Sequence, residues 1–360
     1  MRTEMRDAEH FVESTMRKNM GIGLRRSIHL ICAFALALIL PHDAPAQIRI
    51  AMVSHAPEND PWWDIVKNAI RDADRDFGTK TDYLTTPQGG AEGMKTLLEK
   101  LGGYDGVISS VPNLGILQGP LQNISGRNIP LITINSGSES DSAAVGAFTH
   151  IGMDDYRAGQ EAGKRAKSAG VRSFLCISHL PPENPAVQRC KGFGEMIGQP
   201  GRAEILQVGK DSAQSVGAIV RWFKEHKRPD AILTLGPLSA EPAIAALGQL
   251  SLAGKIYFGT FDLSPAILKA VRDKTIQFAV DQQPYLQGYL PVAIMSVRLK
   301  ENTASIVRIR EVVNQNPGFQ ERMAKYGLRP SYTMKKISPG PAFITLENME
   351  SVEKYAGSYR

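Results

Sequence analysis

Ile48-Arg-Ile-Ala-Met-Val53, then Ser54-His-Ala-Pro-Glu-Asn-Asp-Pro-Trp-Trp63 and the run on to Phe77, decide how this chain is read. The first six residues read as a β-strand. Pro61 to Phe77 reads as a helix with proline at its start, where a missing backbone N–H costs nothing. Working outward, the same alternation recurs. Asp82–Thr85 precedes a helix from about Gly90 to Leu101, Gly106–Ser110 precedes one near Leu114–Ile124, and Pro130–Ile134 is a fourth strand. Strands separated by single helices form a parallel sheet covered on both faces.

The rhythm starts again after Phe148-Thr-His-Ile151. Expected helices are Asp155–Lys167, Ala186–Ile197, Ser212–His226, Ala240–Leu250 and Pro265–Arg272. Between them lie expected strands at Ser173–Ser178, Glu204–Val208, Ala231–Leu235 and Lys255–Gly259. Gln277–Val280 is a last strand before a helix over Tyr285–Leu299. The final sixty residues are less regular, with a short helix near Phe319–Tyr326 and Ala342–Thr345 expected as a strand returning across a hinge. The fold class is therefore α/β, with two doubly wound parallel-sheet lobes. Open sheets of this kind bind ligands outside the carboxyl ends of their strands, so facing sheets create a cleft.

The segment before this pattern is of another kind. Arg17, Lys18, Arg25 and Arg26 precede the apolar run Ile28–Leu40, and Pro41-His-Asp-Ala-Pro-Ala46 ends in small residues. Charged, apolar and small-residue regions in that order describe a secretory signal peptide, with cleavage expected after Ala46 and a periplasmic product. The apolar run is shorter than the roughly 20 residues that span a bilayer. Export to an oxidising compartment permits a Cys176–Cys190 disulfide. A strand cysteine and a helix cysteine are nevertheless expected here as two buried free thiols.

With 42% hydrophobic and 22% charged residues the composition is that of a globular protein. The formal charge of +6 is spread along the chain without a basic block, which argues against nucleic-acid binding. No nucleophile elbow, phosphate loop or dinucleotide fingerprint occurs. His55, His150, His179 and His226 lack metal-ligand spacing and are read as surface or loop histidines. No enzyme activity, metal or cofactor is expected.

What remains is a series of polar clusters at strand ends. Asp60, Trp62 and Trp63 follow the first strand, offering a hydroxyl acceptor and an aromatic platform for a sugar ring, with core packing of one Trp as the alternative. Asn135 and Ser136 follow the fourth strand. Arg189 stands near a helix start, and Asp262 follows a strand end, where it either meets ligand or caps the next helix. Gln282 belongs to Asp281-Gln-Gln-Pro-Tyr-Leu-Gln-Gly288, a dense group of amides at a crossover.

In these stretches the chain resembles the type I periplasmic solute-binding proteins of sugar ABC transporters, the ribose-binding-like group, over about residues 47–300. Asn59-Asp-Pro-Trp-Trp63 is similar to the family's Asn-Pro-aromatic-aromatic loop, and Ile132-Thr-Ile-Asn135 to its strand-end acidic loop. Ile151-Gly-Met-Asp-Asp155 with Gly159 looks like the start of its second lobe. Arg189-Cys-Lys-Gly-Phe193, Gly259-Thr-Phe-Asp262 and Asp281-Gln-Gln-Pro284 match three further motifs in order.

The resemblance implies lobes joined by a multi-strand hinge. Residues 47–149 with about 282–337 would form the N-terminal lobe, and 150–281 with about 338–360 the C-terminal one. It implies Asp60, Trp62, Trp63, Asn135, Ser136, Arg189, Asp262 and Gln282 as ligand residues. The implied ligand is a sugar, sugar alcohol or cyclitol held by a monomer for a membrane ABC permease. A receptor ectodomain as partner, or a non-sugar polar solute, is the alternative. Three departures point away from ribose itself: Asp60 replaces Asn, Asn135-Ser136 replace Asp-Arg, and Gly236-Pro237 replace Asn-Asp.

Overall fold

A computed structural model describes residues 47–182, 184–199, 201, 204–332 and 337–360. The expected signal peptide, residues 1–46, lies outside the described residues. The first sheet contains β1 (Ile48–Pro57), β2 (Thr79–Thr86), β3 (Gly106–Ser110), β4 (Leu131–Ile134) and β5 (Thr149–Ile151). Its order is β2-β1-β3-β4-β5, and every pair is parallel. The second contains β6 (Phe174–Ser178), β7 (Glu204–Gln207), β8 (Ala231–Thr234), β9 (Tyr257–Phe261), β10 (Phe278–Asp281) and β13 (Ala342–Ile344). Here the order is β13-β10-β9-β8-β6-β7, with β13 alone antiparallel. β11 (Ser331–Tyr332) and β12 (Ile337–Ser338) form a separate two-stranded ribbon.

Helix α1 (Pro61–Phe77) shows why the opening segment reads so clearly. Asp60 caps it by accepting from the Trp62 backbone N–H, and Gly78 ends it in the left-handed region at φ 64°. Trp63, Val66, Ile70, Ala73 and Phe77 recur at helical spacing, and all are buried. They pack on α10 (Pro284–Glu301), which is buried continuously from Pro284 to Val297. At Gly288 a Cβ would come within 2.6 Å of the Val66 carbonyl oxygen, so glycine is what lets α1 and α10 meet. A buried polar set ties the same elements together: Tyr285 Oη donates to Asp72 and Tyr289 Oη to Asp76, each at 2.7 Å.

In the second sheet, α5 (Asp155–Ser168) crosses α6 (Gln188–Met196). Cβ atoms at Gly159 and Gly192 would collide with the carbonyls of Arg189 and Tyr156. The absent side chains bring the two helix starts together, and with them Asp155 and Arg189.

Several expectations are corrected. Cys176 on β6 and Cys190 on α6 are disulfide-bonded, with Cα atoms 5.9 Å apart, and are not free thiols. Because α6 lies directly on β6, two cysteines that seemed independent face one another, within the span a disulfide bridges. β1 continues to Pro57 instead of ending at Val53, since the Gly90 N–H donates to the His55 carbonyl at 2.7 Å and Pro57 pairs with Thr86. Helices α4 (Glu139–Ala144) and α11 (Ile306–Gln315) were not anticipated. α2 (Ala91–Glu99), α3 (Leu114–Gly126), α7 (Ser212–Glu225), α8 (Pro237–Gln249), α9 (Pro265–Arg272) and α12 (Pro317–Tyr326) fall within a few residues of their expected places.

Candidate functional site

The residues following β1, β4, β9 and β10 meet. Asp262 lies just after β9 with φ 62°, in the left-handed region. Ser264, not Asp262, caps α9, its Oγ accepting from the Ile267 N–H at 3.2 Å. The Asp262 carboxylate is thus left for the cleft. Gln282 Nε2 donates to its Oδ1 at 2.6 Å, and the Trp62 side chain from the other lobe comes close enough to favour the charged carboxylate. Burial pushes its carboxyl up to about 6, although Arg189, Gln282 and Trp62 act in the opposite direction.

Arg189 is 4% exposed and held from three sides. Its Nε donates to Asp155 Oδ1 at 2.7 Å, its Nη1 donates to the Leu235 carbonyl at 3.2 Å, and its guanidinium lies 4.3 Å from the Phe261 ring centroid. Two of the five N–H donors are occupied by these bonds, with the fork fixed in place.

On the first lobe, Trp63 is in the core, edge-on to His55 and behind Trp62, at ring separations of 5.5 Å and 5.3 Å. Of the two adjacent tryptophans, Trp62 is the one that reaches Asp262. Asp60 is half-buried, and its pKa is raised by burial while Trp62 and Lys210 counteract that rise. Asn135, at φ 57°, donates through Nδ2 to Gln287 Oε1 at 3.0 Å, and Ser136 Oγ donates to Asn135 Oδ1 at 3.2 Å. Gln287 Nε2 in turn donates to the Gln282 carbonyl at 3.2 Å. One chain of amides therefore links the β4 loop to the crossover after β10.

The reading of the histidines as surface or loop residues is corrected for His55 and His150, which lie on strands, while His179 is a loop residue as expected. His55, on β1, has Nδ1 2.9 Å from Ser110 Oγ, and burial lowers its pKa to about 4. His179 follows β6, with Nδ1 3.3 Å from Ser239 Oγ. Burial, then Arg189 and Lys210, lowers its pKa to about 4. His150 is buried against Thr133 at 3.0 Å. Neutral imidazoles both donate and accept, as hydroxyl recognition requires.

Gly236 matters for its missing side chain. A Cβ there would stand 2.9 Å from His179 Cε1 and 3.5 Å from Asp262 Oδ2, inside the space the two groups face. Gln287, His179, Ser239 and Lys210 escaped the sequence reading. Gln287 lay within the amide cluster already singled out, and Gly236 was visible as a departure from the family pattern. His179 and Lys210 carried no local signal. Among the described residues no group of three or more His, Cys, Asp or Glu could hold a metal ion.

The arrangement is two lobes whose strand-end loops bring hydrogen-bond groups together over an amide-rich crossover. Residues 50–303 match the sequence profile of the periplasmic binding protein domain. The chain belongs to the periplasmic binding protein family. It is 24% identical over 277 residues to the xylose/arabinose-binding protein of Sulfolobus acidocaldarius, covering 71% of this chain and 67% of that protein. Among solved structures, a carbohydrate transporter from Acidothermus cellulolyticus in complex with myo-inositol superimposes with TM-score 0.71 at 23% identity. That match covers 86% of this chain and 98% of the other. An ABC transporter solute-binding protein from Burkholderia graminis in complex with D-arabinose gives TM-score 0.66 at 18% identity, covering 84% and 96%. These likenesses carry the two-lobed architecture. Among the described residues no helix is long and apolar enough to cross a membrane.

Proposed function

We propose that this protein captures a sugar, sugar alcohol or cyclitol between its lobes and delivers it to a membrane ABC permease. The observation that carries this reading is the meeting of Trp62 from one lobe with Asp262 from the other, beside Gln282 at the crossover between them. A polyol that donates hydroxyls to Asp262 and accepts from Arg189, while its ring packs on Trp62, contacts both lobes and favours the closed form. Asp60, Asn135, Ser136 and the neutral His55 and His179 supply further hydroxyl partners, with Trp63 as the packing beneath Trp62. The names of the relatives, binders of pentoses and of myo-inositol, support the ligand class. Export as a periplasmic monomer with cleavage after Ala46 completes the proposal.

The test is mass spectrometry of compounds that co-purify with the native protein, followed by calorimetric titration of aldoses, alditols and inositols. A single stoichiometric polyol whose affinity drops at least tenfold in Asp262→Ala and in Arg189→Ala is expected. Unchanged affinity in both variants would refute the site, and absence of binding by any polyol would refute the ligand class.

A further inference from the structure

Beside the cleft lies a cavity of about 580 Å³ whose walls come from both lobes. One wall is the loop after β3, with Pro112, and the residues following Asn135-Ser136, from Gly137 to Asp141. The opposite wall is Asp155 and Tyr156 at the start of α5, with Gln188 at the start of α6. The cavity adjoins the cleft along the chain. Gly137 follows Ser136, Gln188 precedes Arg189, and Asp155 both lines the cavity and holds the Arg189 Nε at 2.7 Å.

Its lining has a definite chemistry. Glu139, Asp141, Asp154 and Asp155 line it, together with serines and Gln188, and neither Lys nor Arg is among the lining residues. Asp141 is held by Ser138, Asp154 by Arg157 and Asp155 by Arg189, which fixes their positions and leaves their remaining lone pairs as acceptors. Tyr156, which also lines the cavity, is 37% exposed, and its hydroxyl donates to Glu195, which fixes the position of the ring. Gly137 takes φ 102°, and a Cβ there would come within 3.0 Å of Val111, which keeps the loop drawn back from the space. Acceptors around an exposed aromatic ring suit an uncharged, hydroxyl-rich ring and disfavour an anion. The volume is within the range of sites that enclose a ligand of appreciable size.

We propose that this cavity is a second sugar subsite, so that the protein's ligand is two linked rings, one in the cleft and the other between Tyr156 and the 137–141 loop. The proposal rests on the cleft reading above. Since both walls belong to different lobes, the second ring also bridges them and adds to closure.

Matched one-ring and two-ring probes test it: xylose and xylobiose, galactose and melibiose, myo-inositol and galactinol, each titrated calorimetrically. In at least one pair the two-ring member is expected to bind about tenfold or more tighter, about 1.4 kcal/mol at 25 °C. Tyr156→Ala and Gln188→Ala should each lower that two-ring to one-ring ratio several-fold, while Tyr156→Phe, which keeps the ring, should preserve it. One-ring binding without any two-ring advantage overturns the subsite and leaves the cleft reading intact. An advantage that survives both alanine variants also overturns it. Binding of neither member of any pair defeats the cleft reading and the subsite together.

Discussion

Replacing Asp262 by Asn separates binding from stability in a way the geometry makes quantitative. Burial holds this carboxyl at about 6 in the ligand-free protein, well above its ordinary value of 3.8. A polyol that donates hydroxyls to Asp262 selects the ionised form. Above pH 7 that form dominates and affinity is at its plateau. Below pH 6 a proton must first leave, so the apparent Kd rises roughly tenfold by pH 5, about 1.4 kcal/mol per pH unit. For the fold the sign is opposite. A folded pKa above the unfolded one means the folded protein takes up its proton first as pH falls. The Asp262 contribution to stability is therefore unfavourable at pH 7 and is relieved as pH drops from about 6 toward 4. Asn cannot ionise and still accepts from Gln282, so the variant should gain roughly 2 kcal/mol at pH 7, allowing for partial solvent contact. It should also bind more weakly and with no slope between pH 5 and 8. Calorimetric titration across that range, with urea unfolding of both proteins, checks this. A flat wild-type profile, or a variant that keeps the slope, refutes the assignment.

Other substitutions test other parts of the structure. Gly236→Ala places a methyl 2.9 Å from His179 and 3.5 Å from Asp262, so affinity should drop at least about tenfold in calorimetric titration, with a loss of about 1–3 kcal/mol in unfolding free energy from the crowding. Reducing Cys176–Cys190, or replacing both by Ser, should lower unfolding free energy by about 3 kcal/mol, the expectation for a closed loop of about fifteen residues. Denaturant curves with and without reductant would show it, and identical curves would refute it. Arg360 and Asp281 form an ion pair at 2.7 Å with side chains 2% and 1% exposed. Arg360→Ala should cost roughly 3–5 kcal/mol, because an uncompensated carboxylate is left buried, and a loss below about 1 kcal/mol would refute that.

The fold was largely legible because its periodicities are local. The strand at Ile48–Val53, the helix from Pro61 with its apolar residues three and four apart, and their repetition after Ile151 required no knowledge of the third dimension. Asp262 and Arg189 were legible as polar groups at element ends. The role of Asp262 was not, because choosing between helix cap and cleft acceptor depended on Ser264 taking the cap. The paired tryptophans presented the same ambiguity, and packing against His55 and Tyr83 resolved it by burying Trp63.

The amino-acid sequence by itself determined the element order, the doubly wound parallel lobes and the polar loops at strand ends, since each follows from spacing within some twenty residues. Only tertiary structure decided that Cys176 and Cys190 bond, that His55 and His179 are held neutral, and that Gln287 fixes Asn135. It alone revealed the cavity beside the cleft. Those features depend on contacts between residues far apart in the chain, and on burial, which exists only once the lobes have packed.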